Sequence, residues 1–127
     1  MTYERKSTGS YGEDLAAEYL KKHGYKIIER NFKSKLGEID ILAAAPAPFW
    51  RRRETVVLVE VKTKSGQSYG AGWEMVNYYK RQKLLLLAKF LQKDYPKSVI
   101  RIDIISIDTA FDPPEIRHFE NAVVEEN

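Results

Sequence analysis

Thr55-Val56-Val57-Leu58-Val59-Glu60-Val61-Lys62 is the stretch that decides the fold. From Thr55 to Val61 the run is mostly β-branched, and it is too apolar to have an obvious wet face. Such a run fits a central strand covered on both sides. A carboxylate at the end of a buried strand needs a partner, a metal or a raised pKa. Lys62 lies two residues beyond Glu60 and shares its face, so an ion pair and a metal site are both open. Upstream stands Gly37-Glu38-Ile39-Asp40, with Asp40 twenty residues before Glu60. By strand parity Glu38 and Asp40 point the same way, either onto a solvated face or toward Glu60. Two carboxylates and an ammonium converging at strand ends can hold a divalent cation and orient a water, the minimal kit for phosphodiester hydrolysis.

Working outward, Tyr25 to Phe32 reads as a strand. Ser34-Lys35-Leu36-Gly37 reads as a hairpin turn and Glu38 to Ala44 as the return strand. Leu15, Ala16, Tyr19 and Leu20 recur at helical spacing, so a first helix is expected from about Ser10 to His23, closed by Gly24. Pro46, Pro48 and Arg51-Arg52-Arg53 lie in a surface loop. Lys64 to Gly72 is a Gly- and Ser-rich loop, and a long helix from Trp73 to Asp94 ends before Pro96. Val99 to Ile107 is another apolar strand, and Glu115 to Val123 an edge strand. The order is α-β-β-β-α-β with that added strand, a mixed α/β sheet with helices packed on it. One domain is expected over 1–127, with 1–8 and 124–127 flexible.

The 127 residues contain no cysteine and only two histidines, His23 and His118. Thiolate zinc sites, disulfides and cysteine nucleophiles are excluded, and a histidine-rich metal site or a Ser-His-Asp triad is disfavoured. Any metal site should therefore be built from oxygen ligands, with Mg²⁺ or Mn²⁺ the expected cation. No stretch has the apolar length of a membrane span, and the start lacks the apolar run of a signal peptide, so a cytoplasmic protein with no membrane role is expected. The net charge is +3, and the basic residues cluster after Glu60. Lys62, Lys64, Lys80, Arg81 and Lys83 stand where an anionic substrate would need them.

Other candidates carry two readings each. Lys80 interrupts an apolar helix face and either reaches into the cleft to hold a phosphate or snorkels outward. Glu13 is an exposed first-turn acid favoured by the helix dipole, or a further ligand leaning over the sheet. Asp103 pairs with a neighbouring strand or caps the sheet, and parity argues against Arg101 as its partner. Tyr69, Trp73, Tyr78 and Tyr79 stack on bases or fill the core. Arg51-Arg52-Arg53 contacts phosphates or is a solvated charge run. Ser65-Gly66-Gln67-Ser68-Tyr69-Gly70 lacks the Gly-Lys-Ser/Thr ending of a Walker loop, so nucleotide hydrolysis is not supported.

Gly12-Glu13 with Ala16 and Tyr19-Leu20, then Gly24-Tyr25, Arg30-Asn31, Gly37-Glu38-Ile39-Asp40, Val59-Glu60-Val61-Lys62, Lys80 and Arg101-Ile102-Asp103 together resemble the YraN-like family of uncharacterised small bacterial proteins. The likeness runs from about Gly9 to Ile107. That family resembles restriction-endonuclease-like nucleases, and the Holliday-junction resolvases in particular. The resemblance implies a restriction-endonuclease-like fold in which Asp40, Glu60 and Lys62 fill an Asp…Glu-x-Lys pattern, and it promotes Glu13 to a helix-borne acid. The Pro46-to-Arg53 loop is longer than the compact hairpin such a fold leads one to expect, and Lys64 stands where the family often has arginine. The resulting expectation is a nucleic-acid-binding protein, a metal-dependent endonuclease on DNA, branched DNA included. In it Asp40, Glu60 and Glu13 serve as ligands, Lys62 as the catalytic cation, and Lys80, Lys64, Arg81 and Lys83 as nucleic-acid contacts. A homodimer would suit cutting on two strands. The alternatives are a non-catalytic nucleic-acid-binding module and an interaction scaffold in DNA processing.

Overall fold

The computed structural model describes residues 8–66 and 77–125. The elements in chain order are helix α1 (Thr8–Lys22), strands β1 (Lys26–Ser34), β2 (Gly37–Ala44) and β3 (Thr55–Lys64), helix α2 (Tyr78–Asp94), and strands β4 (Val99–Asp108) and β5 (Glu115–Phe119). They form a five-stranded sheet in the order β1-β2-β3-β4-β5. β3 and β4 run parallel, and every other neighbouring pair is antiparallel. The mixed α/β architecture expected from the sequence is present, and α2 lies in the connection that the parallel pair demands.

β3 is the centre of the molecule. Thr55 to Glu60 are all buried, because the strand is covered on both faces. Val57 and Val59 pack with Ala16, Ala17 and Leu20 of α1 and with Ile41, Ile105 and Ile107. Val56 and Leu58 pack with Leu84, Leu87 and Leu91 of α2 and with Leu42, Ile102 and Ile104. Two apolar clusters thus clamp one sheet between two helices, and the clusters are the period-2 sheet pattern meeting the period-3.6 helix pattern.

The helix ends follow local chemistry. Gly24 takes a φ of 88° after α1, while the Tyr25 N–H donates to the Leu20 carbonyl at 2.9 Å; this is the six-to-one closure of a glycine-terminated helix. Asn77, in extended backbone, accepts from the Lys80 N–H at 2.8 Å and caps α2. α2 therefore starts at Tyr78, not as a continuation from Trp73; Tyr69, Trp73 and Val76 lie outside the described residues. Thr8, expected to be flexible, is the first residue of α1, whereas 1–7 and 126–127 lie outside the described residues. β3 runs on to Lys64, so that residue belongs to the strand and not to the loop after it. Among the described residues no helix is long and apolar enough to cross a membrane.

Candidate active site

The β2–β3 ladder runs from Ala44↔Val56 to Ile41↔Val59 and goes no further. One step beyond, the Val61 N–H donates to the Asp40 carboxylate at 2.8 Å. A side chain thus takes the place of a backbone partner and holds Asp40 at the mouth where the two strands part. Strict alternation also fails here. Ile39 packs on the α2 side and Ile41 on the α1 side, so the parity that paired Glu38 with Asp40 does not survive. Glu38 is exposed, and Asp40 is largely withdrawn from solvent. On the other side of β2, Arg30 pairs with Ile41 and Phe32 with Ile39. That leaves Asn31 opposite Asp40 with a φ of 55°, a left-handed conformation that asparagine tolerates better than most residues.

Glu60 is buried at the end of the apolar part of β3. Its carboxylate lies 3.4 Å from Lys62 Nζ and 3.3 Å from Lys80 Nζ. Both partners come from elementary spacing: Lys62 shares Glu60's strand face, and Lys80 projects from the first turn of α2. Lys80 thus turns toward Glu60, with its side chain still 37% exposed.

Glu13 joins from α1. Its carboxyl is in hydrogen-bond contact with that of Asp40. What brings it there is Gly12, where a β-carbon would collide with the hydroxyl of Thr63 on β3. The missing side chain lets α1 descend onto the sheet next to Glu13.

The electrostatics of the cluster are those of carboxylates withdrawn from water. Burial pushes the Glu60 carboxyl up and the negative charge of Asp40 adds to this, with Lys80 and Lys62 opposing. Burial also raises Asp40, against the Val61 N–H and with help from Glu13. Glu13 is raised by burial in spite of Arg30. Two carboxyls in contact need a proton or a cation between them. The donor set is all oxygen, which suits a hard divalent cation. Among the described residues no three acidic or histidine side chains form a ready-made metal cage, since Glu60 is turned toward its two lysines.

The remaining predicted residues lie around this centre. The Lys83 stem lies against the β1–β2 turn, where a β-carbon on Gly37 would come within 3.1 Å of Lys83 Cε. Arg81 follows Lys80 on α2 and lines a groove with Tyr78 and Gln82. Lys64 closes β3 beside Asp108, and its carbonyl accepts from the Thr109 N–H at 2.8 Å. Tyr78 and Tyr79 are 76% and 74% exposed, so they are not core residues.

A second polar cluster was missed in part. Arg101 grips Asp103 through two hydrogen bonds of 2.8 Å, the pairing that parity had argued against. Residues two apart on a strand sit roughly 7 Å apart, and an arginine is long enough to fold back across that gap. His118 Nε2 lies 2.7 Å from the same carboxylate, and the Asn121 N–H donates to it at 2.9 Å. Tyr19 meets His118 on one side and His23 on the other, so two histidines 95 residues apart in sequence share one neighbour. Sheet order creates this contact, and no local motif announces it.

Residues 12–107 match the model of the uncharacterised protein family UPF0102. The chain belongs to that family. A UPF0102 protein of Geobacter metallireducens is 42% identical over 96% of this chain and 96% of its own length. Another, from Desulforamulus reducens, is 37% identical over 97% of this chain and all of its own. A third, from Syntrophotalea carbinolica, is 36% identical, with 96% of this chain and 95% of its own length covered. The matched region of this UPF0102 protein begins at Gly12 and contains Glu13, Asp40, Glu60, Lys62 and Lys80.

Proposed function

We propose that this UPF0102 protein binds nucleic acid and hydrolyses phosphodiester bonds in DNA as a metal-dependent endonuclease. The observation that carries this is the contact of Glu13 with Asp40 where β2 and β3 part, with the buried Glu60 and its two lysines, Lys62 and Lys80, beside them. Asp40 and Glu60, with Glu13, would hold Mg²⁺ or Mn²⁺. Bound there, the cation would supply a Lewis acid for a phosphate oxygen and a water of lowered pKa. The Val61 N–H fixes the orientation of the Asp40 carboxylate before substrate arrives. Lys62 and Lys80, paired with Glu60 at 3.4 Å and 3.3 Å, would stabilise charge developing on the phosphate in the transition state.

One observation favours a rival reading. Glu60 already has two cationic partners, as a purely structural ion pair would, and that suits a non-catalytic nucleic-acid-binding module. A panel of linear, single-stranded, flapped and four-way-junction DNAs separates the two. The endonuclease cuts at least one of them with Mn²⁺ or Mg²⁺ and stops in EDTA. The binding module retains DNA in EDTA and never cuts.

A further inference from the structure

The 45–54 segment joins β2 to β3 at the end of the sheet away from the carboxylates. Phe49 is 96% exposed and Trp50 71% exposed, and their rings meet edge to face at 5.4 Å. Two bare aromatic rings at a loop tip fill no core and line no cavity among the described residues. Arg51 and Arg52 follow directly, exposed and without an ion-pair partner among the described residues. Arg53 instead anchors the loop, donating to the Lys97 and Ser98 carbonyls at 3.2 Å. The loop is therefore tethered at its base and bare at its tip.

One edge of the sheet, β1, leads from this tip toward the carboxylates. Lys26 pairs with Ala44 where the loop begins, and β1 then runs to the level of Asp40, where Arg30 pairs with Ile41. Lys26, Arg30 and Lys33 are exposed along that edge, with Glu29 exposed among them and Arg30 held by Asp14 at 2.7 Å. From Ala44 to Asp40 is four strand steps, about 13 Å. A flat anionic surface such as a membrane would touch only the tip. Exposed rings flanked by two guanidinium groups, at the start of a strand edge that leads to a carboxylate centre, match a chain of bases and phosphates.

We propose that the 45–54 loop is a second nucleic-acid contact that takes an unpaired stretch of the strand. Phe49 and Trp50 stack on its bases, Arg51 and Arg52 hold its phosphates, and β1 guides the chain toward Asp40 and Glu60. This rests on the endonuclease reading for what happens at the carboxylates, but binding at the loop is measured separately. Base stacking on aromatic side chains is tolerant of sequence, and guanidinium groups suit phosphate geometry better than ammonium groups.

The test is fluorescence anisotropy of a labelled single-stranded dT oligonucleotide and of a blunt duplex. It uses the full chain in EDTA, so that binding is read without cleavage. The Phe49→Ala/Trp50→Ala variant should bind the single strand at least about tenfold more weakly, and the duplex with little change. Arg51→Ala/Arg52→Ala should lower the slope of log affinity against log salt by about 1.4, the share of two phosphates on a single strand. Loop-dependent single-strand binding in EDTA by a chain that cuts no DNA with Mn²⁺ would uphold this contact while the active-site reading fails, which separates the two. Wild-type protein that ignores the single strand, or folded loop variants that bind it as well as wild type, would overturn the proposal. So would loop-dependent sedimentation with phosphatidylglycerol vesicles alongside loop-independent oligonucleotide binding.

Discussion

Asp103 is a fully buried carboxylate and Asp40 a half-buried one, and their surroundings drive them in opposite directions. For Asp40 burial raises the carboxyl and the neighbouring Glu13 adds to it, against the single backbone donor at Val61 and the charge of Lys80. For Asp103 burial alone would raise the pKa, but His118, Arg101 and the Asn121 N–H outweigh it and hold the carboxyl below the usual aspartate range. A carboxyl that titrates lower in the fold than in the unfolded chain stabilises the fold above its unfolded pKa. That contribution is lost as pH falls through the lowered value. Asp103→Asn should therefore cost about 3 kcal/mol at neutral pH, as breaking a buried pair does. In urea unfolding the gap to wild type should narrow below about pH 4, near the unfolded aspartate pKa; a gap unchanged at pH 3 would assign the loss to packing. The Asp40 cluster predicts a different response. Mn²⁺ at a hundred times its dissociation constant should stabilise the wild type by about 2.7 kcal/mol. Asp40→Asn and Glu60→Gln should lose that gain, read as the metal-dependent change in melting temperature. At this scale Glu60, Lys62 and Lys80 were legible, because an acid closing a buried strand and a lysine in an apolar helix face both demand partners. The grip of Arg101 on Asp103 was not legible, because parity counts backbone steps and ignores side-chain reach.

The elements were legible where one pattern dominates and illegible where a side chain replaces the backbone. β3 follows from its apolar run, and the tight β1–β2 turn from Gly37. The break in β2 does not follow, because Glu38 and Asp40 alternate correctly on paper. Only the Val61 N–H and the left-handed Asn31 account for Asp40 leaving the side that parity assigns it. Nor does the start of α2, which Asn77 sets by capping. The approach of α1 to β3 depends on Gly12, opposite a Thr63 hydroxyl that is buried without a hydrogen-bond partner among the described residues. Gly12→Val should destabilise the fold by about 1–3 kcal/mol through overpacking. It should also lower cleavage by drawing Glu13 away from Asp40; chemical denaturation and a rate measurement on the same preparation check both. Leu87→Ala, in the middle of the buried face of α2, should cost about 2–5 kcal/mol while leaving the residual folded protein metal-responsive.

Taken whole, the molecule separates its charges. The carboxylates gather where β2 and β3 part, and the bare guanidinium groups of Arg51 and Arg52 stand at the opposite end of those strands. The small net charge gave no sign of this, since a sum over the chain hides its distribution. The fold class was legible from one strand and two amphipathic helices. The meeting of Glu13 with Asp40, and of Tyr19 with two histidines, required the strand order. The measurement closest to the central claim is single-turnover DNA cleavage with Mn²⁺, comparing wild type with folded Glu60→Ala. Wild-type cleavage that vanishes in EDTA, with a loss of about a hundredfold or more in the variant, is the predicted result. Equal cleavage by both proteins would contradict it, because the buried carboxylate of β3 would then have no part in the chemistry.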